Sequence, residues 1–574
     1  MILWKSRGKE VSVYFLCVFE NCFYFRFVVF VLNRNIETKA VQHKNLALMN
    51  LPSFQDDARR KVFLQQLESS GTWDLAVIGG GASGLGIALE AATRGYKTVL
   101  LEQADFAKGT SSRSTKLVHG GVRYLAQGNV KLVREASIER GLLYRNAPHL
   151  VKNQSFIIPL YNYWDRLKYT IGLKVYDWIA GRLSLGSSVF ISREDTLRRL
   201  PNVNPEGLIG GVLYHDGQFD DSRLAVNLAQ SIYEHGGLAF NYIRVTGLIR
   251  DEQQKIAGVE CIDSETLRTY KVPAKAVVNA TGVFVDDILR MDNPTASKTI
   301  TVSQGVHLVL DKKFYPADHA LMIPETSDGR VLFAVPWHDK VVVGTTDTPV
   351  ETASLEPMAL EKEIEFILDT ASQYFVEKPT RSDVLSVFAG LRPLAAPAKG
   401  QKTKEISRSH KIMVSQSKLF TILGGKWTTF RKMGEDMVSR IESELHWEKK
   451  KSTTPTMHIH GYTNSIQEDD PFAIYGSDAH RIKGMINGDA GIWISESLKI
   501  HKAQVLWAVN EEMARTVEDV LSRRTRALLL DAKESIRIAP DVAAVMADAM
   551  GKDEEWISEQ VRSYKKLAER YLLK

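Results

Sequence analysis

Cysteine is scarce: three residues in 574, with Cys17 and Cys22 in the first fifty and Cys261 far from both. That excludes a disulfide framework and a zinc cluster, and it fits a reducing compartment. Charge of one sign is not in excess. Lys and Arg number 74 against 68 Asp and Glu, and no basic tract gathers the net charge of +6, so nucleic acid is set aside as a partner. A long unbroken hydrophobic run is also missing. The most apolar stretch, "VSVYFLCVFENCFYFRFVVFVLNRN" (Val11 to Asn35), is interrupted by Glu20 and Arg26, whereas a membrane span needs about 20 nearly uncharged residues. No small-residue cleavage site follows it. Residues 1–48 therefore read as a doubtful N-terminal extension: translation upstream of a misplaced start, with Met49 beginning the protein proper. A membrane or targeting segment and a folded extension are the alternatives. No metal site is expected, and the calcium-loop pattern D-x-[DN]-x-[DN]-G is absent.

With 44% hydrophobic residues the chain can bury a large core, and its length implies two or three domains. "WDLAVIGGGASGLGIALEAATRGYKTVLLEQ" (Trp73 to Gln103) reads as an apolar strand, a glycine turn, a helix and a second strand ending in an acid. "KAVVNATGVFVDDIL" (Lys275 to Leu289) and "KLFTILGGKWTTFRKMGEDMVSRIESEL" (Lys418 to Leu445) repeat the passage from strand through glycine turn to helix. One nucleotide-binding domain built from distant segments, about 73–150, 215–290 and 405–445, accounts for all three. Between them, "GRVLFAVPWHDKVVVGTTDT" (Gly329 to Thr348) shows two strand-like runs across a polar turn. Segments of about 150–215 and 290–405 are thus expected to build an antiparallel substrate sheet. Residues 446–574 read as a helical C-terminal domain. The fold class is α/β, with a discontinuous Rossmann-like domain, an antiparallel-sheet domain and that helical domain.

Gly79, Gly81 and Gly84 form G-x-G-x-x-G at the junction of strand and helix, with Ser83 beside them. Such glycines permit a tight turn, the approach of a pyrophosphate, and close helix packing. The helix N-terminus then faces the phosphates. Glu102 ends the second strand, near the spacing at which an acid meets the ribose hydroxyls of an adenine dinucleotide. The motif leaves FAD and NAD both open. "GTSSRSTKLVHGG" follows, and its hydroxyls at Thr110, Ser111, Ser112, Ser114 and Thr115 are placed to donate to a diphosphate and a flavin ring.

The glycine motif, "TSSRSTKLVHGGVRYL", "FDDSRL", "VNATG", "VPWHDKVVVGTTDT", "AGLRPL", "SRSH" and "GGKWTTFRKM" occur in the order found in FAD-dependent glycerol-3-phosphate dehydrogenases of the aerobic, respiratory type. The chain resembles that family from Trp73 to Met437. The resemblance implies a flavoprotein of the D-amino-acid-oxidase group that oxidises sn-glycerol 3-phosphate to dihydroxyacetone phosphate and passes electrons to membrane quinone. It places Arg123, Tyr124, Arg392, Arg408 and Lys426 around the substrate. Lys116, Ala280, Gly282, Gly425 and Thr428 join the glycine turn at the FAD. A phosphate dianion needs fixed cations, which guanidinium groups supply as a bidentate fork. Arg392 is expected to stabilise the developing alkoxide. His119 and His307 are both placed to take the C2 hydroxyl proton, and the resemblance favours His307.

Without a calcium loop, a bacterial-type enzyme is expected rather than the calcium-regulated mitochondrial one. Its expected place is cytoplasmic, peripherally attached to the inner face of the cell membrane, and a homodimer is left open. "WDRLKYTIGLKVYDWIAGRL" (Trp164 to Leu183) mixes cations with aromatic and aliphatic residues. It suits a helix lying in a membrane interface or one packed on the substrate domain. An oxidase using oxygen and a catalytically silent flavin- or phosphate-binding protein remain as alternative functions.

Overall fold

The strand Trp73–Ile78 is apolar almost throughout because it lies at the middle of a largely parallel sheet covered on both faces. A computed structural model describes residues 58–121, 128–326, 329–395, 410–466, 470–486 and 489–573; the expected N-terminal extension lies outside them. Trp73–Ile78 pairs in parallel with Thr98–Leu101 on one side and with the end of Thr269–Asn279 on the other. Thr269–Asn279 pairs in parallel with Leu419–Leu423. Ile78 stands beside Asn279, and Asn279 beside Thr421. The three glycine turns, far apart in sequence, thereby emerge at the same carboxyl edge of one sheet. Ligands of open α/β sheets bind at such an edge.

Among the described residues the second sheet has ten strands, most of them antiparallel. The expected pair within Gly329–Thr348 forms as Leu332–Trp337 and Lys340–Gly344. The turn residues His338 and Asp339 both have positive φ, 47° and 57°, the conformation of a two-residue hairpin turn that follows the strand twist. The central strand Ile300–Asp311 pairs with Val384–Ala395, setting Ser303 opposite Arg392, Gly305 opposite Gly390 and His307 opposite Phe388. Partners in an antiparallel pair share a face, so His307 and Arg392 project to the same side. The opposite face, with Val306, Leu308 and Leu310, packs on Ile364 and Ile367 of the helix Glu361–Tyr374.

The helices Lys502–Glu512, Ala532–Met550 and Glu554–Ala568 close the far end of the His307 face, where Val309 and Phe388 join their core. Buried ion pairs attach this end to the nucleotide side. Arg523 and Arg524 reach Asp105, at 2.5 Å and 2.6 Å, Arg526 pairs with Asp220, and Arg223 with Glu512. Among the described residues no helix is long and apolar enough to cross a membrane.

Candidate active site

Gly79 has φ of +109°, and a Cβ there would lie 2.7 Å from the Ala280 carbonyl oxygen. A Cβ at Gly84 would lie 1.8 Å from the Gly79 carbonyl oxygen. Both positions demand glycine: the first so that two turns can touch, the second so that the helix Ala82–Thr93 can sit against its own turn. Glu102 accepts from the Gly80 N–H at 2.6 Å and the Ala104 N–H at 2.9 Å, and burial pushes its carboxyl above the usual range.

From this end a cavity of about 610 Å3 runs between the two sheets to the face that carries His307 and Arg392. Its walls include Gly79, Gly81, Ser83, Glu102, Thr110, Ser111, Ser114, Ala280, Gly282, Gly425 and Thr428. His119, His307, Arg392 and Lys426 line the same space. Arg123, Tyr124 and Arg408 lie outside the described residues. Among the described residues no group of three His, Cys, Asp or Glu side chains is placed to hold a metal ion.

Three residues expected at the FAD stand behind the wall instead. Gly84 is spent on helix packing. Ser112 is buried, and its carbonyl oxygen accepts from Lys116 Nζ at 2.6 Å. Lys116 is fully buried, with Nζ 2.8 Å from Asp221 Oδ2, because an ammonium without water needs a carboxylate partner. The hydroxyls also serve the protein. Thr110 donates to the Leu391 carbonyl oxygen at 2.6 Å, Ser111 Oγ accepts from the Ala82 N–H at 3.0 Å, and Ser114 donates to Asp221 Oδ2 at 2.7 Å. They shape the loop as well as facing the cavity.

At the other end, Arg392 donates to the Thr346 carbonyl oxygen and Thr345 Oγ1, each at 3.0 Å, and lies 3.3 Å from Asp347 Oδ1. His307 is buried. Its Nε2 meets Thr115 Oγ1 at 2.9 Å, its Nδ1 has no hydrogen-bond partner among the described residues, and its ring stacks on Phe388. Burial first, then the positive charges of Arg392 and Lys116, hold its imidazole well below the ordinary value. The ring is therefore neutral near pH 7.

Sequence reasoning missed Arg113, whose buried guanidinium lines the cavity 2.7 Å from Glu356. It missed Asp221 as the anchor of the loop. Trp427, whose Nε1 donates to the Ser111 carbonyl oxygen at 2.8 Å, also went unrecognised. Arg113 and Trp427 stood inside quoted motifs, but nothing in a motif says which way a side chain turns. The glycine cradle, the acid at the second strand and a long cavity ending at an imidazole and cations fit FAD.

Comparison with known proteins gives the same answer. Residues 74–425 match the family model described as FAD dependent oxidoreductase, and residues 418–557 match the C-terminal domain of alpha-glycerophosphate oxidase. The chain is 37% identical over 559 residues to "Probable glycerol-3-phosphate dehydrogenase, mitochondrial" of Caenorhabditis elegans, covering 92% of this chain and 76% of that protein. The chain belongs to the FAD-dependent glycerol-3-phosphate dehydrogenases.

Other members of this glycerol-3-phosphate dehydrogenase family show the same extent of likeness. The Homo sapiens "Glycerol-3-phosphate dehydrogenase, mitochondrial" is 35% identical over 553 residues, covering 90% of this chain and 76% of the human one. A solved glycerol-3-phosphate dehydrogenase of Bacillus halodurans, complexed with FAD, superposes with a TM-score of 0.74 at 29% identity, covering 91% of this chain and 98% of that one.

For a dehydrogenase of this family, Glu102→Ala is expected to weaken FAD retention. The substitution removes the acceptor of two turn N–H groups and the acid expected from the motif to meet the ribose. Hydrogen bonds to a charged group are worth about 1.5–3 kcal/mol each, so the ratio of flavin to protein after dialysis should fall. Undiminished flavin would show that Glu102 serves the turn alone.

Proposed function

We propose that this dehydrogenase oxidises sn-glycerol 3-phosphate to dihydroxyacetone phosphate and delivers the electrons to a membrane quinone. The observation that carries the reading is one cavity joining a dinucleotide cradle at Gly79, Gly81 and Glu102 to His307, Arg392 and Lys426. FAD, when bound, supplies the hydride acceptor. Arg392 and Lys426 bring positive charge to the phosphate dianion and, at Arg392, to the oxygen that gains charge as its proton leaves. His307, neutral and buried, receives the C2 hydroxyl proton. Bleaching of the flavin on adding glycerol 3-phosphate under nitrogen tests the oxidation. Turnover with a quinone analogue under nitrogen, set against peroxide formation in air, separates quinone from oxygen as acceptor.

The helix Tyr163–Ala180 supports the membrane acceptor. Its buried face carries Leu173, Tyr176 and Ala180, and Leu173 and Tyr176 pack on the substrate sheet. Trp164, Leu167, Ile171, Val175 and Trp178 recur at helical spacing on the outside, and the two tryptophans are 81% and 82% exposed. Arg166, Lys168 and Lys174 accompany them. An apolar stripe with aromatic residues and cations suits a helix lying in the headgroup region. Peripheral attachment at the cytoplasmic face of the cell membrane is the placement proposed, and cell fractionation tests it; the Caenorhabditis elegans and Homo sapiens relatives are named mitochondrial.

Replacing Trp164 and Trp178 together by Ser is expected to lower co-flotation with anionic lipid vesicles by about tenfold, since such binding scales with buried apolar area. Turnover with a soluble quinone analogue should be unchanged. Equal flotation of both proteins would remove this helix as the membrane contact.

A further inference from the structure

Thr115 was expected among the hydroxyls that serve the cofactor, yet its Oγ1 lies 2.9 Å from His307 Nε2. Both residues line the cavity. The imidazole is packed on two other sides. It stacks on Phe388 at 4.9 Å between ring centres and 15° between planes, and a Cβ at Gly344 would come within 2.5 Å of its Cδ2. Among the described residues the buried Nδ1 has no hydrogen-bond partner, so Thr115 is the polar contact there that orients the ring.

Thr115 is itself held rigidly from both neighbours. Ser114 donates to Asp221 Oδ2 through its N–H at 3.2 Å and its hydroxyl at 2.7 Å. Lys116, at φ of +63°, donates to both oxygens of Asp221 at 3.0 Å and 2.8 Å. Its Nζ also lies 5.5 Å from the centre of the Phe388 ring that stacks on His307. A left-handed backbone at a long side chain is strained and persists where the surroundings over-determine it. The Ser114–Lys116 segment thus touches the imidazole twice, directly through Thr115 and indirectly through Phe388.

We propose that Thr115 is a positioning residue of the reaction: its hydroxyl pins His307 Nε2 and so sets the rotation and tautomer in which the imidazole meets the substrate. The inference rests on the reading of His307 as the base. A hydroxyl suits the place because it accepts from or donates to a ring nitrogen, whereas a charged partner would add a buried charge beside Arg392.

The test uses the FAD-loaded, full-length enzyme. Thr115→Val keeps the shape and removes the hydroxyl. It is expected to lower kcat for glycerol 3-phosphate by about 100-fold, the scale of a small misplacement of a catalytic group, with KM and flavin content close to the parent's. Thr115→Ser should restore most of the rate. In a His307→Ala background, Thr115→Val should cost nothing further, because the two act as a unit. Unchanged kcat in Thr115→Val, no rescue by Ser, or losses that multiply in the double variant would each overturn the proposal. Flavin loss in Thr115→Val would return the hydroxyl to the cofactor and overturn it as well. A His307→Ala enzyme that keeps its turnover removes the base reading and this proposal together, whereas the other failures leave that reading standing.

Discussion

His307→Ala is expected to reduce kcat for glycerol 3-phosphate by about 10²–10⁴, the usual worth of a positioned general base, with FAD still bound. His307 sits at the far end of the cavity from Gly79 and Glu102, so its removal should spare the cradle. His307→Gln keeps most of the bulk against Phe388 and guards against a collapsed site. The pH profile adds a second check. Burial and the neighbouring cations hold the imidazole well below its ordinary value. A base must be unprotonated to work, so the acid limb of kcat/KM should lie below the ordinary histidine value of about 6.5. Steady-state rates across pH, with flavin content of each variant, check both. An acid limb that survives in His307→Gln would assign it to another group, His119 first among those lining the cavity.

Arg392 should give the other large effect. Its guanidinium shares a sheet face with His307 and lies over Gly305, where a Cβ would come 2.2 Å from its Nη2. Arg392→Gln removes the charge and is expected to lower kcat by about 10²–10³, the range for losing one electrostatic stabiliser of a developing oxyanion. The sign of the pH effect is definite. With one cation gone beside His307, imidazolium forms more easily, its pKa rises, and the acid limb of kcat/KM moves to higher pH. Arg392→Lys keeps the charge but not the planar fork, so it should leave the acid limb in place while still losing rate on the phosphorylated substrate. Should both variants lose rate equally with no movement of the limb, Arg392 would bind phosphate without contact with the base.

The β-α-β unit from Trp73 to Gln103 was legible because every signal in it is local. An apolar run, glycines at fixed spacing and a helical period are carried by neighbouring residues, and parallel strands buried on both faces leave little choice of side chain. The two later glycine turns were legible for the same reason, and one shared sheet was the economical way to use all three. The hairpin Leu332–Gly344 followed from two β-rich runs across His338 and Asp339.

Direction was not legible. Lys116 and Ser112 stand in a hydroxyl-rich loop that reads as ligand-facing, yet Asp221, 105 positions later, draws the Lys116 ammonium into the interior. Thr115 looked like its neighbours until a histidine 192 positions away came to lie against it. Helix Tyr163–Ala180 carried two readings, and the structure shows one face of it buried in the protein and the other exposed.

The sequence by itself determined the nucleotide-binding unit, since the backbone demands of its glycine motif are met within a few residues, and the order of its motifs gave the resemblance from which the family and its FAD followed. Only the tertiary structure decided which charged and hydroxyl side chains face the cavity and which brace it. Two long-range placements select among them: Asp221 holds the Lys116 ammonium inside, and the register of Ile300–Asp311 against Val384–Ala395 sets His307 and Arg392 on one face. That choice depends on partners more than eighty residues away, which no local pattern encodes.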